Sequence, residues 1–133
     1  MITKKDTKRK QILEIGGATG ELSLLLQEKF PESQICLNDI SKNACKIAEE
    51  KGLQSICSSI ANLELSNSYT TVIALDVLYY ESELAKCFKK ITSSLLSGGL
   101  LIMRFPNKYK LINLLSGFSQ SVSYTHLTLP TKA

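Results

Sequence analysis

Two carboxylates and a run of small residues carry the chemistry this sequence can offer. Glu14 lies near the end of an apolar run, Gln11-Ile-Leu-Glu-Ile15, and is followed by Gly16-Gly17-Ala18-Thr19-Gly20. Glycine in such a turn lets backbone amides approach a ligand, because a Cβ would block the path or forbid a positive φ. An acid just before the turn disfavours a pyrophosphate at the next helix N-terminus and favours a ligand bearing an ammonium group. The GGxxG spacing also departs from the GxGxxG of dinucleotide sites. Asp39 stands 19 residues beyond Gly20, just after a second apolar run, Gln34 to Asn38. A carboxylate there can accept both hydroxyls of a ribose, or it can cap the following helix together with Ser41. Glu14 and Asp39 together point to adenosine carried by a positively charged, phosphate-free molecule.

Other reactive side chains offer less. Cys36, Cys45, Cys57 and Cys87 are 9, 12 and 30 residues apart, so no CxxC pair exists to bind zinc or run disulfide exchange. They are expected as reduced thiols, with Cys36 and Cys57 acting as small buried hydrophobes in strands. His126 is the only histidine, and no metal site is expected.

The elements that must position these residues alternate. A strand over Gln11 to Ile15 leads to a helix from Glu21 to Phe30, with Leu22, Leu25, Leu26 and Phe30 at helical spacing and Pro31 as its stop. Gln34 to Asn38 reads as a second strand, Ser41 as the N-cap of a helix to Lys51, and Gly52 as its end. A brief strand is expected at Ser55 to Cys57, then a polar loop through Ser68. Thr70 to Leu75 is β-prone, and Ser82 to Leu96 presents Leu84, Phe88, Ile91 and Leu95 on one helical face. Ser97-Gly98-Gly99 is expected to turn into a last strand, Leu100 to Phe105. Apolar strands alternating with helices predict an α/β fold, a Rossmann-like, doubly wound and mostly parallel sheet with helices on both faces. Ligands of such sheets sit at the carboxyl ends of the strands, where strand order reverses.

The 133 residues are 44% hydrophobic and 21% charged, as expected of one globular domain. The formal charge of +4 resides in residues 1–10, where Lys4, Lys5, Lys8, Arg9 and Lys10 face only Asp6; the other 123 residues hold 11 basic and 11 acidic side chains. A neutral body argues against a nucleic-acid partner, and 1–10 is expected to be a solvated leader. No run approaches the roughly 18 apolar residues of a membrane span. No membrane partner is expected, and the cytoplasm is the expected location.

With these residues in place, Leu13-Glu-Ile-Gly-Gly-Ala-Thr-Gly20 resembles the first motif of class I S-adenosylmethionine-dependent methyltransferases. Cys36-Leu-Asn-Asp-Ile-Ser41 is similar to the family's second-strand end, Ala74-Leu-Asp-Val-Leu78 to its fourth, and Leu95-Leu-Ser-Gly-Gly-Leu100 to its turn into the fifth. Met103-Arg-Phe-Pro-Asn107 is similar to the branch that methylates small molecules. The resemblance covers about residues 11 to 115, and, because family members add further strands after the fifth, it implies a sheet incomplete at its C-terminal end. It implies an S-adenosyl-L-methionine cofactor and a small-molecule acceptor. It also implies a cofactor site built from Glu14, Gly16, Gly17, Ala18, Gly20, Asp39, Ile40, Ser59, Ile60 and Leu75. In this correspondence Asp39 holds the ribose, Ile40 lies beside the adenine, and Leu75 lines the methionine part. Ala18 departs from the usual middle glycine, and Ser59 stands where many members have an aspartate against the adenine amino group. Asp76, Tyr79 and Tyr80 follow the fourth strand, where the family often has a Glu and a His; the rings either face the sulfonium or pack under the next helix. No residue is assigned a catalytic role. Two other classes stay open: a catalytically silent binding or scaffolding domain on the same fold, and, with less support, an NAD-binding domain.

Residues 122–133 break this pattern. Val122-Ser-Tyr-Thr-His-Leu-Thr-Leu-Pro-Thr131 resembles the translated transposon end of sequencing-library adapters. The expected organisation is therefore a leader over 1–10, a partial methyltransferase domain over 11–121 and a non-native tail over 122–133, with His126 foreign to the protein.

Overall fold

The computed structural model describes residues 10–65, 68–78 and 83–104, and the backbone of Ser123–Thr128. Five strands and three helices alternate: β1 (Gln11–Ile15), α1 (Glu21–Lys29), β2 (Gln34–Asp39), α2 (Lys42–Glu50), β3 (Gln54–Cys57), β4 (Tyr69–Leu75), α3 (Leu84–Ser94) and β5 (Leu95–Arg104). The strands form one parallel sheet in the order β3-β2-β1-β4-β5. A sixth strand, β6 (Ser123–Thr128), adds in parallel to the edge of β5, with Leu100 opposite Ser123 and Arg104 opposite Thr128. It lies inside the segment expected to be a non-native tail.

Both faces of the sheet are covered, which is why its strands are apolar throughout rather than alternating. On one face Leu13, Ile15, Val72, Ala74, Leu101 and Met103 meet Cys87, Phe88 and Ile91 of α3. On the other, Ile12, Ile35 and Ile73 pack against Leu22 and Leu26 of α1, and Leu37 packs against Ala48 of α2. The doubly wound expectation holds. Phe88 and Ile91 have no exposed surface, and truncating a phenylalanine so placed costs about 3–5 kcal/mol.

Local departures have physical causes. Leu25 and Phe30 are 55% and 52% exposed, although their spacing matched the apolar face of α1. The face turned to the sheet carries Leu22, Leu26 and the fully buried Ser23, whose hydroxyl donates to the buried Glu14 at 2.6 Å. The stretch after β3 is not only a polar loop. A 3-10 turn, Ile60–Asn62, sends Ile60 and Leu63 into the core beneath α3. The turn expected at Ser97-Gly98-Gly99 is a bulge within β5: Tyr69 pairs with Leu95 and Thr71 with Leu100, so residues 96–99 stand opposite Thr70 alone. Cys57 is exposed and Cys36 partly buried, whereas Cys45 and Cys87 are buried. The exposure of Cys57 corrects its expected burial, because it ends the outermost strand, where no further strand covers it. Tyr79, Tyr80 and most of the leader lie outside the described residues.

Candidate functional site

Strand order reverses between β1 and β4, because the chain winds outward from β1 through β2 to β3 and then crosses back to β4 on the other side of β1. The carboxyl ends of β1, β2 and β4 leave a crevice there. Its volume is about 230 Å3, and it is lined by Gly16, Asn38, Asp39, Ile40, Ser58, Ser59, Ile60, Asp76 and Val77.

The glycine turn forms one side. Gly16, Ala18 and Gly20 have φ of 68°, 52° and 92°. A Cβ at Gly16 would lie 2.2 Å from Val77 Cγ1, and one at Gly20 2.4 Å from Leu53 Cδ1. The space a side chain would need is thus filled by the protein's own core, so these glycines seat the turn on the sheet as well as freeing its backbone. Ala18 tolerates a left-handed conformation costing about 1–2 kcal/mol, and its amide donates to Asp39 Oδ2 at 2.9 Å. The Gly17 amide donates to the Asn38 carbonyl at 2.9 Å. Lys51, at the end of α2, donates from Nζ to the Thr19 carbonyl at 2.9 Å. The turn is held by β2 and α2, not by its own sequence alone.

Asp39 is the hinge of the site. Its Oδ1 accepts the Ser41 amide at 2.9 Å while Oδ2 accepts that of Ala18, so the carboxylate caps nothing in α2 directly. Ser41 does that itself, its Oγ accepting the Ala44 amide at 3.1 Å. Each Asp39 oxygen retains a second lone pair. Asn38, 1% exposed, donates from Nδ2 to the carbonyls of Ile56 and Ser58 at 3.0 and 2.9 Å. This stitches the end of β2 to the segment carrying Ser59 and Ile60 and places both opposite Asp39.

Glu14 is 8% exposed and lies off the cavity wall. It accepts the hydroxyl of Ser23, an early residue of α1, whose N-cap Gly20 has no side chain to satisfy the first turn. Burial pushes its pKa up, opposed by the Ser23 bonds and reinforced by the neighbouring Glu21 and Asp39 charges. Leu75 also lies off the wall, in the layer under α1 with Ile12, Ile35 and Ile73. The expected set divides accordingly. Gly16, Asp39, Ile40, Ser59 and Ile60 meet at the cavity; Ala18 and Gly17 hold its rim through backbone bonds; Glu14, Gly20 and Leu75 support it from behind.

Asn38, Ser58 and Val77 escaped sequence reasoning. A polar Asn ending an apolar strand was the available signal for the first, and Val77 lay inside the Ala74–Leu78 segment with no role assigned to it; nothing in the sequence marked Ser58. Asp76, weighed from sequence without a fixed role, has φ 59°. Its amide donates to the Arg104 carbonyl at 3.0 Å, and its Oδ2 accepts from Arg104 Nε at 2.8 Å and from a terminal guanidinium nitrogen at 2.6 Å. The pair clamps the ends of β4 and β5 together at the cavity wall, and Asp76 pushes the Arg104 pKa up.

Comparison with known proteins matches this arrangement to one family. A family model described as a methyltransferase domain matches residues 6–129. A malonyl-[acyl-carrier protein] O-methyltransferase from Priestia megaterium is 33% identical over 101 residues, covering 72% of this chain and 37% of that protein. One from Acetivibrio thermocellus is 29% identical over 105 residues, covering 76% of this chain and again 37% of the relative. The chain thus spans little more than a third of the length of these relatives. Among solved structures, coclaurine N-methyltransferase bound to N-methylheliamine and SAH superposes with a TM-score of 0.67 at 17% identity, covering 71% of this chain and 30% of that one. The PH0226 protein from Pyrococcus horikoshii OT3 gives 0.66 at 24%, covering 86% and 54%. At these identities the superpositions establish a shared fold.

Proposed function

This chain belongs to the methyltransferase domain family, and from that premise we propose that it forms the donor-binding part of an S-adenosylmethionine-dependent methyltransferase with a small-molecule acceptor. One observation carries the reading. Of the large exposed hydrophobics among the described residues, Ile40 is the most exposed, at 72%, and it sits on the cavity wall beside the Asp39 carboxylate. An apolar side chain held in water next to a carboxylate with free lone pairs suits a nucleoside, whose flat base covers the one while its ribose hydroxyls donate to the other.

The residues present fit that group. Asp39 would accept the ribose hydroxyls, Ile40 and Ile60 would enclose the adenine, and Ser59 would meet its amino edge. The buried Glu14 would lend its charge to the ammonium end through the turn it supports. When bound, S-adenosylmethionine supplies a methyl group already activated by the sulfonium. The chain's own task is then to orient and enclose. Alignment of this kind is worth on the order of 7–11 kcal/mol of barrier. The acceptors named for the curated relatives, malonyl groups on a carrier protein, suggest that an acyl carboxylate belongs to the acceptor class.

Thermal unfolding with S-adenosylhomocysteine, with NAD as the control ligand, tests the reading. At roughly 100 times its dissociation constant, a ligand specific for the folded state adds about 2.7 kcal/mol. Stabilisation by S-adenosylhomocysteine and not by NAD is the expected result. A cooperative transition unmoved by either would replace the donor-site reading with that of a binding or scaffolding domain.

A further inference from the structure

Two thiols meet at the turn that carries Asp39. Cys45, in the first half of α2, is buried, and its thiol donates to the Asp39 carbonyl with Sγ at 3.5 Å. Cys57, the last residue of β3, is exposed and donates to the carbonyl of the next residue, Ile40, at 3.7 Å. Cys57 is the register partner of Asp39 across β2 and β3, so the two thiols share one turn, and burial followed by the neighbouring Cys57 pushes the Cys45 pKa up. One thiol is open to solvent and the other is buried against the adjacent carbonyl of the same turn. A reactive pair that captures a small oxidant and then resolves it needs this arrangement.

We propose that Cys45 and Cys57 form a thiol-oxidation site that takes a low-molecular-weight disulfide of the glutathione class and closes into a bridge between α2 and β3. The Cys57 thiolate attacks one sulfur of the small disulfide; a bond forms between them, the original sulfur–sulfur bond breaks, and one glutathione thiolate leaves. The Cys45 thiolate then attacks the Cys57 sulfur and expels the second. Both cysteine protons end on the departing thiolates, so the protein loses two electrons and two hydrogens and the small disulfide gains them. Bridging removes both S–H donors from the 39–40 turn. Among the described residues, the Asp39 carbonyl then keeps only the Ser58 amide, at 3.1 Å. The same turn presents the carboxylate that holds the Ala18 and Ser41 amides, so the bridge loosens the rim of the cavity.

The test is incubation of the full chain with glutathione disulfide, alkylation of remaining thiols and peptide mapping without reduction. The expected product has lost two hydrogen masses and joins Cys45 to Cys57 at a rate independent of protein concentration. Cys45→Ser should stop at one glutathione adduct on Cys57. Cys57→Ser, an exposed change that leaves the core intact, should form no bridge and serves even if the buried variant does not fold. Wild-type protein that stops at the Cys57 adduct, bridges Cys45 to Cys36, or links between molecules overturns the proposal. In the bridged protein, amide hydrogen exchange at Ala18 and Ser41 should be faster than in the reduced protein. Equal exchange overturns the coupling to the cavity, and neither readout depends on the proposed donor site.

Discussion

At the scale of single residues, Glu14 and Asp39 show two carboxyl groups under opposite constraints. Glu14 is buried and has its pKa raised, chiefly by desolvation. For an acid whose folded pKa is raised, the favourable contribution to folding is complete below its ordinary value near 4.5 and is lost as pH rises through the folded value. Glu14→Gln keeps an acceptor for Ser23 without the buried charge. It should therefore be more stable than the wild type at neutral pH, with the advantage vanishing below pH 4.5. Urea unfolding across that range checks the sign; a variant destabilised at every pH would mean that the Ser23 bonds to a charged Glu14 outweigh the cost of its desolvation. Asp39 instead uses each oxygen for one backbone amide. Asp39→Asn replaces one acceptor with a donor that faces an N–H, so it should lower stability by about 1–2 kcal/mol and abolish stabilisation by S-adenosylhomocysteine. Retained stabilisation in a calorimetric titration would remove Asp39 from the site.

At the scale of elements, the glycine turn illustrates what a motif does and does not say. Its spacing announced a close backbone approach, and the structure shows that part of this approach is to Val77, Leu37 and Leu53 of the same chain. Gly16 and Gly52 both have positive φ, yet a Cβ at Gly52 would meet nothing within 4 Å. Gly52→Ala should thus cost only the conformational penalty, about 1 kcal/mol. Gly16→Ala adds a clash with Val77 and should cost some 1–3 kcal/mol more, which paired chemical denaturation curves would resolve. Equal losses would mean that Val77 gives way freely and that the cavity wall it forms is soft. Helix α1 carries the complementary lesson. Its apolar spacing was plain, and Leu22 and Leu26 do pack on the sheet, but Ser23 is buried beside them with a partner, Glu14, that no local pattern encodes.

At the scale of the whole molecule, the edge of the sheet at β5 decides how the C-terminal segment is held. β6 pairs with β5 by backbone, and Tyr124, Thr125 and Thr128 are residue types that favour strands. An exposed parallel edge accepts any such segment. We propose that residues 122–133 are adventitious and that β6, which lies within them, occupies this edge by that general affinity. DNA from an independent clone should diverge in codons after residue 121, and the same codons read through the junction would end the proposal. The sequence by itself determined the alternation of elements, the doubly wound sheet and the place of Asp39 at a strand end, because apolar periodicity, capping residues and glycine stops act over a few neighbours. The tertiary structure alone decided which of the expected site residues meet. Glu14 and Leu75 turn away from the cavity, whereas Asn38, Asp76 and Val77 join it. Those outcomes depend on the register between strands distant in sequence and on which buried polar groups find partners, and neither is written in local order.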